Sequence, residues 1–312
     1  MKQLFIRVGL IFALIFASQS YAQSKEEINV LWAFNIGSTQ ANVLRSTVAE
    51  LNKIQNKYTF SLVHKPGAGG TIAANTVAAN PQNTIVGMSS SFIIRPYYEK
   101  ENTHNLDRFT PLYVQGNGSP IMFLSKKYSS FDQAVSAKSL TIGVSGVGSI
   151  SHLAANELKE VNKNIVIVNF RNMIDAATAA AGGHVDIALA FYSDAAGLID
   201  SKNLNVLAYT GQQELSGVPG APAYKHNLPD LTGITANYAI YASSDMDANR
   251  LKELHQLIGL VQKNADIVAG YQKDFLTTVN FSLERNKTWY SSERKFWKKK
   301  VDDVNVSLIQ KD

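Results

Sequence analysis

The chain of 312 residues contains no cysteine. This excludes disulfide bridges, thiol nucleophiles and cysteine-ligated metals, so the fold must form without covalent cross-links. Charged residues make up only 18% of the chain, and the formal net charge of +5 is too small to indicate nucleic acid as a partner. One basic cluster near the C-terminus has aromatic residues among its members at helical spacing, and we interpret it as a solvated helix. A contact with nucleic acid or anionic lipid is the alternative for this cluster, which contains Arg294, Lys295, Lys298, Lys299 and Lys300.

The motifs of common enzyme classes are also missing. The segment Gly143-Val144-Ser145-Gly146-Val147 lacks the second glycine of a nucleophile elbow. Ile72 stands where a dinucleotide-binding loop has its third glycine. The six histidines are scattered without the spacing of metal ligands. We therefore expect no enzyme, no cofactor and no metal, and a secreted hydrolase whose residues converge only in three dimensions is the alternative.

The first 22 residues have the pattern of a secretory signal peptide. Lys2 and Arg7 precede an apolar run at residues 8–17, and small residues occupy the positions before a signal-peptidase cut after Ala22. The alternative is a retained membrane anchor, but the run is shorter than the roughly 20 residues that span a bilayer. We predict cleavage after Ala22 and a mature protein in the periplasm.

Two glycine-rich segments each lie between a strand-like run and a helical run. Residues 65–71 follow the apolar run at 58–63, and residues 143–149 follow the run at 140–142. Such a turn brings backbone N–H groups to the N-terminus of a helix, where an anion is stabilised. The two segments predict two lobes, with a helix N-terminus from each lobe lying at the cleft between them.

Short apolar runs alternate with helical patterns along the mature chain. Strand-like runs include residues 28–34, 85–88, 140–144 and 187–191, and each is followed by a helical or turn segment. This alternation predicts an α/β fold with parallel-rich sheets, in which ligands bind at the carboxyl ends of the strands. The glycine-rich segments lie at those ends.

The chain makes one excursion between two halves of this kind. We expect lobe 1 to comprise residues 23–124 and 235–312, and lobe 2 to comprise residues 125–234. The two crossings, near Leu124 and Ile234, should lie side by side and act as a hinge.

Four motifs, in this order and at this spacing, resemble those of the extracytoplasmic receptors of tripartite tricarboxylate transporters, the Bug family. The resemblance covers nearly the whole mature chain. The motifs are PGAGGT at residues 66–71 followed by Ala73 and Ala74, GVGSISHLA at 146–154, GGHVD at 182–186 and LAYTG at 207–211.

The resemblance implies a two-lobed type II periplasmic-binding-protein fold, the Venus flytrap. It implies a receptor, expected to be a monomer, that captures a small carboxylate and contacts the membrane subunits of a transporter transiently. The ligand would be a di- or tricarboxylate, an acidic amino acid or an aromatic acid. A binding protein that signals to a membrane sensor kinase is the alternative, which the sequence does not separate from transport.

The resemblance also implies that the loop after the first strand, residues 35–39, contributes to ligand binding, with Arg45 at the family's arginine position. The chain differs from the family at Ala41, where an aspartate is usual, and at residues 170–172, where tyrosine-lysine-glycine is usual.

The candidate ligand-binding residues supply backbone N–H groups and hydroxyls for one carboxylate, while Phe170, Arg171 and Tyr192 would meet the distal end of the ligand. Alternatives are a helix cap for Ser149, packing or capping within its helix for His152, and an exposed surface position for Arg171. The full set is Asn35, Ile36, Gly37, Ser38, Thr39, Gly69, Ser89, Ser91, Ser145, Gly148, Ser149, His152, Phe170, Arg171 and Tyr192.

Overall fold

The computed structural model describes residues 25–34, 36–99, 101, 103–226 and 231–304. The predicted signal peptide and Asn35 lie outside these residues. The strands are β1 (Glu26–Trp32), β2 (Tyr58–His64), β3 (Thr84–Ser89), β4 (Phe109–Pro120), β5 (Met122–Ser125), β6 (Leu140–Val144), β7 (Ile165–Asn169), β8 (Ile187–Ala190), β9 (Asn205–Tyr209), β10 (Ala221–Pro222), β11 (Thr235–Ser243) and β12 (Thr277–Thr278). The helices are α1 (Thr39–Ile54), α2 (Thr71–Ala79), α3 (Ser91–Tyr98), α4 (Phe131–Val135), α5 (Ile150–Val161), α6 (Met173–Ala181), α7 (Tyr192–Asp200), α8 (Ala248–Val261), α9 (Ala265–Gln272) and α10 (Leu283–Asp303).

The strands form two six-stranded sheets, in the orders β12-β4-β11-β3-β1-β2 and β10-β9-β5-β8-β6-β7. In the first sheet β1 runs parallel to β2 and β3, and in the second β6 runs parallel to β7 and β8. Each sheet also contains an antiparallel strand at its centre: β11 pairs antiparallel with β3 and β4, and β5 with β8 and β9. The prediction of a two-lobed α/β fold is confirmed. Both sheets are mixed, because β12 also pairs antiparallel with β4, and the alternation of elements did not indicate these antiparallel strands.

The chain passes between the sheets at two neighbouring places. It leaves the first sheet where β4 ends at Pro120 and enters the second at Met122, so the strand that contains Leu124 belongs wholly to the second sheet. It returns before β11, whose first residue, Thr235, is paired with Pro120. Between them, the Ile121 N–H donates to the Thr210 hydroxyl at 2.8 Å, and the Thr210 N–H donates to the Ile121 carbonyl at 2.9 Å.

Local sequence fixes where the helices of the two lobes begin. The Ser38 hydroxyl accepts from the Ala41 N–H at 3.2 Å, and the Ser149 hydroxyl accepts from the His152 N–H at 3.1 Å. The Asn172 side chain accepts from the Asp175 N–H at 2.8 Å. Each contact satisfies an N–H group that the first turn of a helix leaves without a partner, so α1, α5 and α6 start directly after their capping residues.

The two lobes touch through α3 of the first and α5 of the second. The Ile150 N–H donates to the Ser91 hydroxyl at 3.3 Å, and the rings of Tyr98 and His152 meet edge to face at 5.3 Å. A buried ion pair joins Lys300 of α10 to Glu157 of α5 at 3.3 Å. These contacts hold the lobes against each other. Among the helices that the structure describes, no stretch is long and apolar enough to cross a membrane.

Candidate functional site

A cavity of about 660 Å³ lies between the two lobes, within the size range of small-molecule sites. Within the described part of the chain, the starts of five helices contribute to its lining. These helices are α1 and α3 in the first lobe and α5, α6 and α7 in the second, and the glycine-rich turn that precedes α2 lines the cavity as well. Because the partial positive charge of a helix is at its N-terminus, this arrangement favours an anion inside the cavity.

The first glycine-rich segment makes room for an arginine side chain. Gly69 has a left-handed backbone with φ 57°, and a Cβ at this position would lie 2.1 Å from Nη1 of Arg95. Gly148, in the second segment, has φ 73°, and a Cβ there would lie 3.1 Å from Cγ of the same arginine. The two segments that the sequence singled out therefore both pack on Arg95, one from each lobe.

Arg95 lines the cavity and is fixed from two directions. Its Nη1 donates to the Val147 carbonyl of the second lobe at 3.1 Å, and its Nη2 lies 2.6 Å from a Glu99 carboxylate oxygen one turn along α3. The side chain is 16% exposed, and among the described residues its buried Nε has no hydrogen-bond partner. Arg95 was not among the residues predicted from the sequence. The available signal was its i, i+4 spacing from Ser91, which places both on one face of a helix that follows a strand.

Most of the residues predicted to bind ligand line this cavity. The structure brings together the last residue of β3 and the first of α3, both serines, the start of α1, one glycine of the first segment, the loop before α5 and an arginine before α6. They are Ile36, Ser38, Thr39, Gly69, Ser89, Ser91, Ser145, Gly148, Ser149 and Arg171.

The hydroxyls of the second glycine-rich segment, residues 143–149, also make hydrogen bonds that stabilise the conformation of this loop. Ser149 Oγ donates to the Gly146 carbonyl at 2.8 Å in addition to capping α5. The Ser145 N–H donates to the Ser151 hydroxyl at 3.0 Å. Ser149 thus caps its helix while it lines the cavity, and part of the hydrogen-bonding capacity of this loop is used internally.

Four predicted residues, Gly37, His152, Phe170 and Tyr192, are not part of the lining. The His152 ring packs on Tyr98, and burial lowers its pKa to about 4, so it is neutral at pH 7. The Phe170 ring lies 3.0 Å from where a Cβ on Gly143 would be, and the Tyr192 ring meets Phe275 at 5.6 Å.

Arg171 lies at the rim of the cavity. Its side chain is 84% exposed, and its Nε donates to the Asp175 carboxylate at 3.2 Å. The Asn172 side chain binds the same carboxylate at 3.1 Å. The contact with Asp175 already occupies part of the guanidinium.

Besides Asp175, two further acidic residues of the lining were not predicted from the sequence. Asp194 lies in the first turn of α7 and Asp274 in the loop after α9, so they come from different lobes. Asp274 accepts from the Ser193 N–H at 3.0 Å and from the Gln40 amide at 3.5 Å. Burial, together with the neighbouring Asp274, raises the pKa of Asp194 to about 7, and burial also raises the pKa of Asp274. No local pattern marks this pair, since its members are far apart in sequence. The described residues include no group of three or more side chains suited to hold a metal ion.

The fold and the cleft define a two-lobed solute-binding protein. The sequence matches the model of the tripartite tricarboxylate transporter family receptor, TctC, over residues 45–305. The chain belongs to this family of periplasmic receptors, which is not a family of enzymes. The resemblance found in the motifs is thereby confirmed. No curated protein matches the chain in sequence.

Solved structures of similar proteins share the fold over nearly their whole length. MatC from Rhodopseudomonas palustris with bound malate has a TM-score of 0.77 and 18% identity, covering 88% of this chain and 99% of that one. A second R. palustris protein, with adipate, has a TM-score of 0.80 and 16% identity, covering 93% and 100%. The periplasmic binding protein BugD has a TM-score of 0.79 and 17% identity, covering 91% and 99%. At this level of identity the likeness is one of fold.

Proposed function

We propose that this protein is a periplasmic receptor that captures a small organic acid and delivers it to the membrane subunits of a tripartite tricarboxylate-type transporter. The observation that carries the proposal is the convergence of five helix N-termini and Arg95 on one cavity between the lobes. Malate and adipate in the structures of similar proteins support a carboxylate as the ligand class.

One carboxylate of the ligand is held near Arg95. Each helix N-terminus contributes roughly 0.3–1 kcal/mol to the binding of an anion, and an arginine adds charge-assisted hydrogen bonds. Ser89 and Ser91 line the same region and supply hydroxyl donors. Ser38, Thr39 and Ser149 line the cavity at the starts of α1 and α5 and would contact the ligand from there. Arg171, at the rim, would then distinguish ligands by their distal end.

Release and capture require the lobes to separate. We propose that the two lobes move as two bodies about the paired crossings at Ile121 and Thr235, and that β5 moves with the second lobe, to whose sheet it belongs. The contact between Arg95 and the Val147 carbonyl joins the two bodies across the cavity. A carboxylate bound to the same guanidinium therefore favours the closed arrangement, which the membrane subunits would recognise.

A small organic acid should raise the melting temperature of the purified mature protein. Ligand at 100 times its dissociation constant adds about 2.7 kcal/mol to the free energy of unfolding, which corresponds to a shift of several degrees. The measurement is a thermal-shift screen of mono-, di- and tricarboxylates, amino acids, aromatic acids and neutral sugars at constant pH and ionic strength. A shift with a neutral sugar and with none of the acids would contradict the proposal.

A further inference from the structure

Three aspartates line a cavity that is otherwise arranged for an anion, and two of them, Asp194 and Asp274, form no ion pair with any residue that the structure describes. Asp274 is held in place because its carboxylate accepts hydrogen bonds from the Ser193 N–H and the Gln40 amide. Asp194 directly follows Ser193, whose N–H binds Asp274, and its carboxylate makes no hydrogen bond or ion pair with any part of the chain that the structure describes. Its carboxylate therefore faces the cavity without a partner of its own.

The arginines of the lining do not neutralise this pair of carboxylates. Arg95 is paired with Glu99, and Arg171 is bonded to Asp175. Two carboxylates that share a buried site without a cation repel each other, and the raised pKa of Asp194 reflects this cost in addition to that of burial. A ligand that carries only negative charges would add to that repulsion, whereas a ligand with a positive group would relieve it.

We infer that the ligand carries a protonated amine in addition to its carboxylate, and that Asp194 and Asp274 bind this amine. The inference rests on the proposed function, because it assigns a second group of the ligand whose carboxylate lies near Arg95. An ammonium group has three donors and no acceptor, which suits a pair of acceptor-only carboxylates. Because Asp194 belongs to one lobe and Asp274 to the other, a bound amine joins the lobes and couples its own recognition to closure.

The alternative position for a positive group is the rim of the cavity at Asp175. That carboxylate is shared between Arg171 and Asn172, so it is already satisfied. A negative residue in the first turn of a helix also stabilises the helix itself, which accounts for part of the presence of Asp194. That role does not require a second carboxylate from the opposite lobe, and the pairing with Asp274 is what points to a ligand.

The test compares acids that differ only by an amine. Isothermal titration calorimetry at pH 7.5 with the mature protein would use glutamate against glutarate, aspartate against succinate, leucine against 4-methylpentanoate and 4-aminobutyrate against butyrate. We expect at least one amino member to bind roughly tenfold or more tightly than its partner, since a charge-assisted hydrogen bond is worth about that much. Asp194→Asn should remove most of this preference while the affinity for the partner without the amine stays the same or increases.

Two further variants are compared with Asp194→Asn, one at the other member of the pair and one as a control. Asp274→Asn changes the other member of the pair and retains an oxygen for the Ser193 N–H, so it should reduce the preference for the same reason. Asp200→Asn, at the exposed end of the same helix as Asp194, should leave the preference unchanged. Thermal melts of each variant check folding.

The outcomes separate the two proposals. Acids that bind equally with and without the amine would overturn this inference alone. A preference for the amino member that survives both Asp194→Asn and Asp274→Asn would overturn the assigned subsite. The absence of binding by every acid, with or without an amine, would overturn the proposed function and this inference with it.

Discussion

Arg95→Met should weaken the binding of small carboxylates by about 2–5 kcal/mol, which is at least about thirtyfold in dissociation constant. The Arg95 side chain is 16% exposed and contacts both glycine-rich segments, so an anion beside it is shielded from water and the interaction is strengthened. The measurement is calorimetric titration with the acid that gives the largest thermal shift.

Two controls accompany this variant. Removing Arg95 leaves Glu99 without its cation, so the double variant Arg95→Met/Glu99→Gln should bind as weakly as the single one while it melts closer to wild type. Arg171→Met removes a guanidinium whose side chain is 84% exposed, and its effect on affinity should stay below about 1 kcal/mol. A larger loss of affinity in Arg171→Met than in Arg95→Met would place the anion at the rim instead.

Gly69→Ala should reproduce part of the binding defect of Arg95→Met without removing a charged group. The new Cβ would overlap Nη1 of Arg95 and displace the guanidinium, in addition to a left-handed backbone cost of about 1–2 kcal/mol. Gly183→Ala is the matched control, because Gly183 also has a positive φ, of 78°, and no atom lies within 4 Å of where its Cβ would be. Both variants should lose stability, and only Gly69→Ala should lose affinity. Equal affinities would show that the glycine does not position Arg95.

Asp194→Asn should make the empty protein more stable at pH 8, by on the order of 2–4 kcal/mol. The pKa of Asp194 is raised to about 7 in the folded protein, by burial first and by Asp274 second. An unfolded aspartate has a pKa near 4, so between about pH 4 and pH 7 the folded state binds a proton that the unfolded chain releases. The free energy of unfolding therefore falls as the pH rises towards 7 and Asp194 loses its proton. An asparagine cannot ionise, so the variant does not show this fall.

Urea denaturation between pH 4.5 and pH 8 measures this effect. The gain of Asp194→Asn over wild type should be smallest at low pH and complete above pH 7. Asp274 and Tyr238 face the same carboxyl group, and the pKa of each is also raised, so the measured titration belongs to the cluster. Asp200→Asn should follow the wild-type pH profile. A variant that is less stable than wild type at pH 8 would show that the carboxylate has a partner that compensates its burial.

The order of the elements and the family of the protein could be read from the sequence. The position at which a helix starts depends on residues three or four apart in the sequence. At Ser38 and Ser149 the capping side chain binds an N–H group three residues further along the chain. The glycine-rich segments could be placed at strand ends for the same reason. Strand direction is not local, and the antiparallel strands β5 and β11 could not be distinguished by pattern from their parallel neighbours.

The sequence by itself thus determined the α/β lobes, the helix N-termini and the glycine-rich turns, because each depends on contacts between residues that are close along the chain. Only the tertiary structure placed Arg95 between Gly69 and Gly148, and it alone brought Asp194 beside Asp274. The contacts of Arg95 with Gly148 and the pairing of Asp194 with Asp274 join residues of different lobes, and they depend on the order of strands in two sheets and on how the chain crosses between them. The charges that meet in the cavity are set by that packing, which no pattern of neighbouring residues encodes.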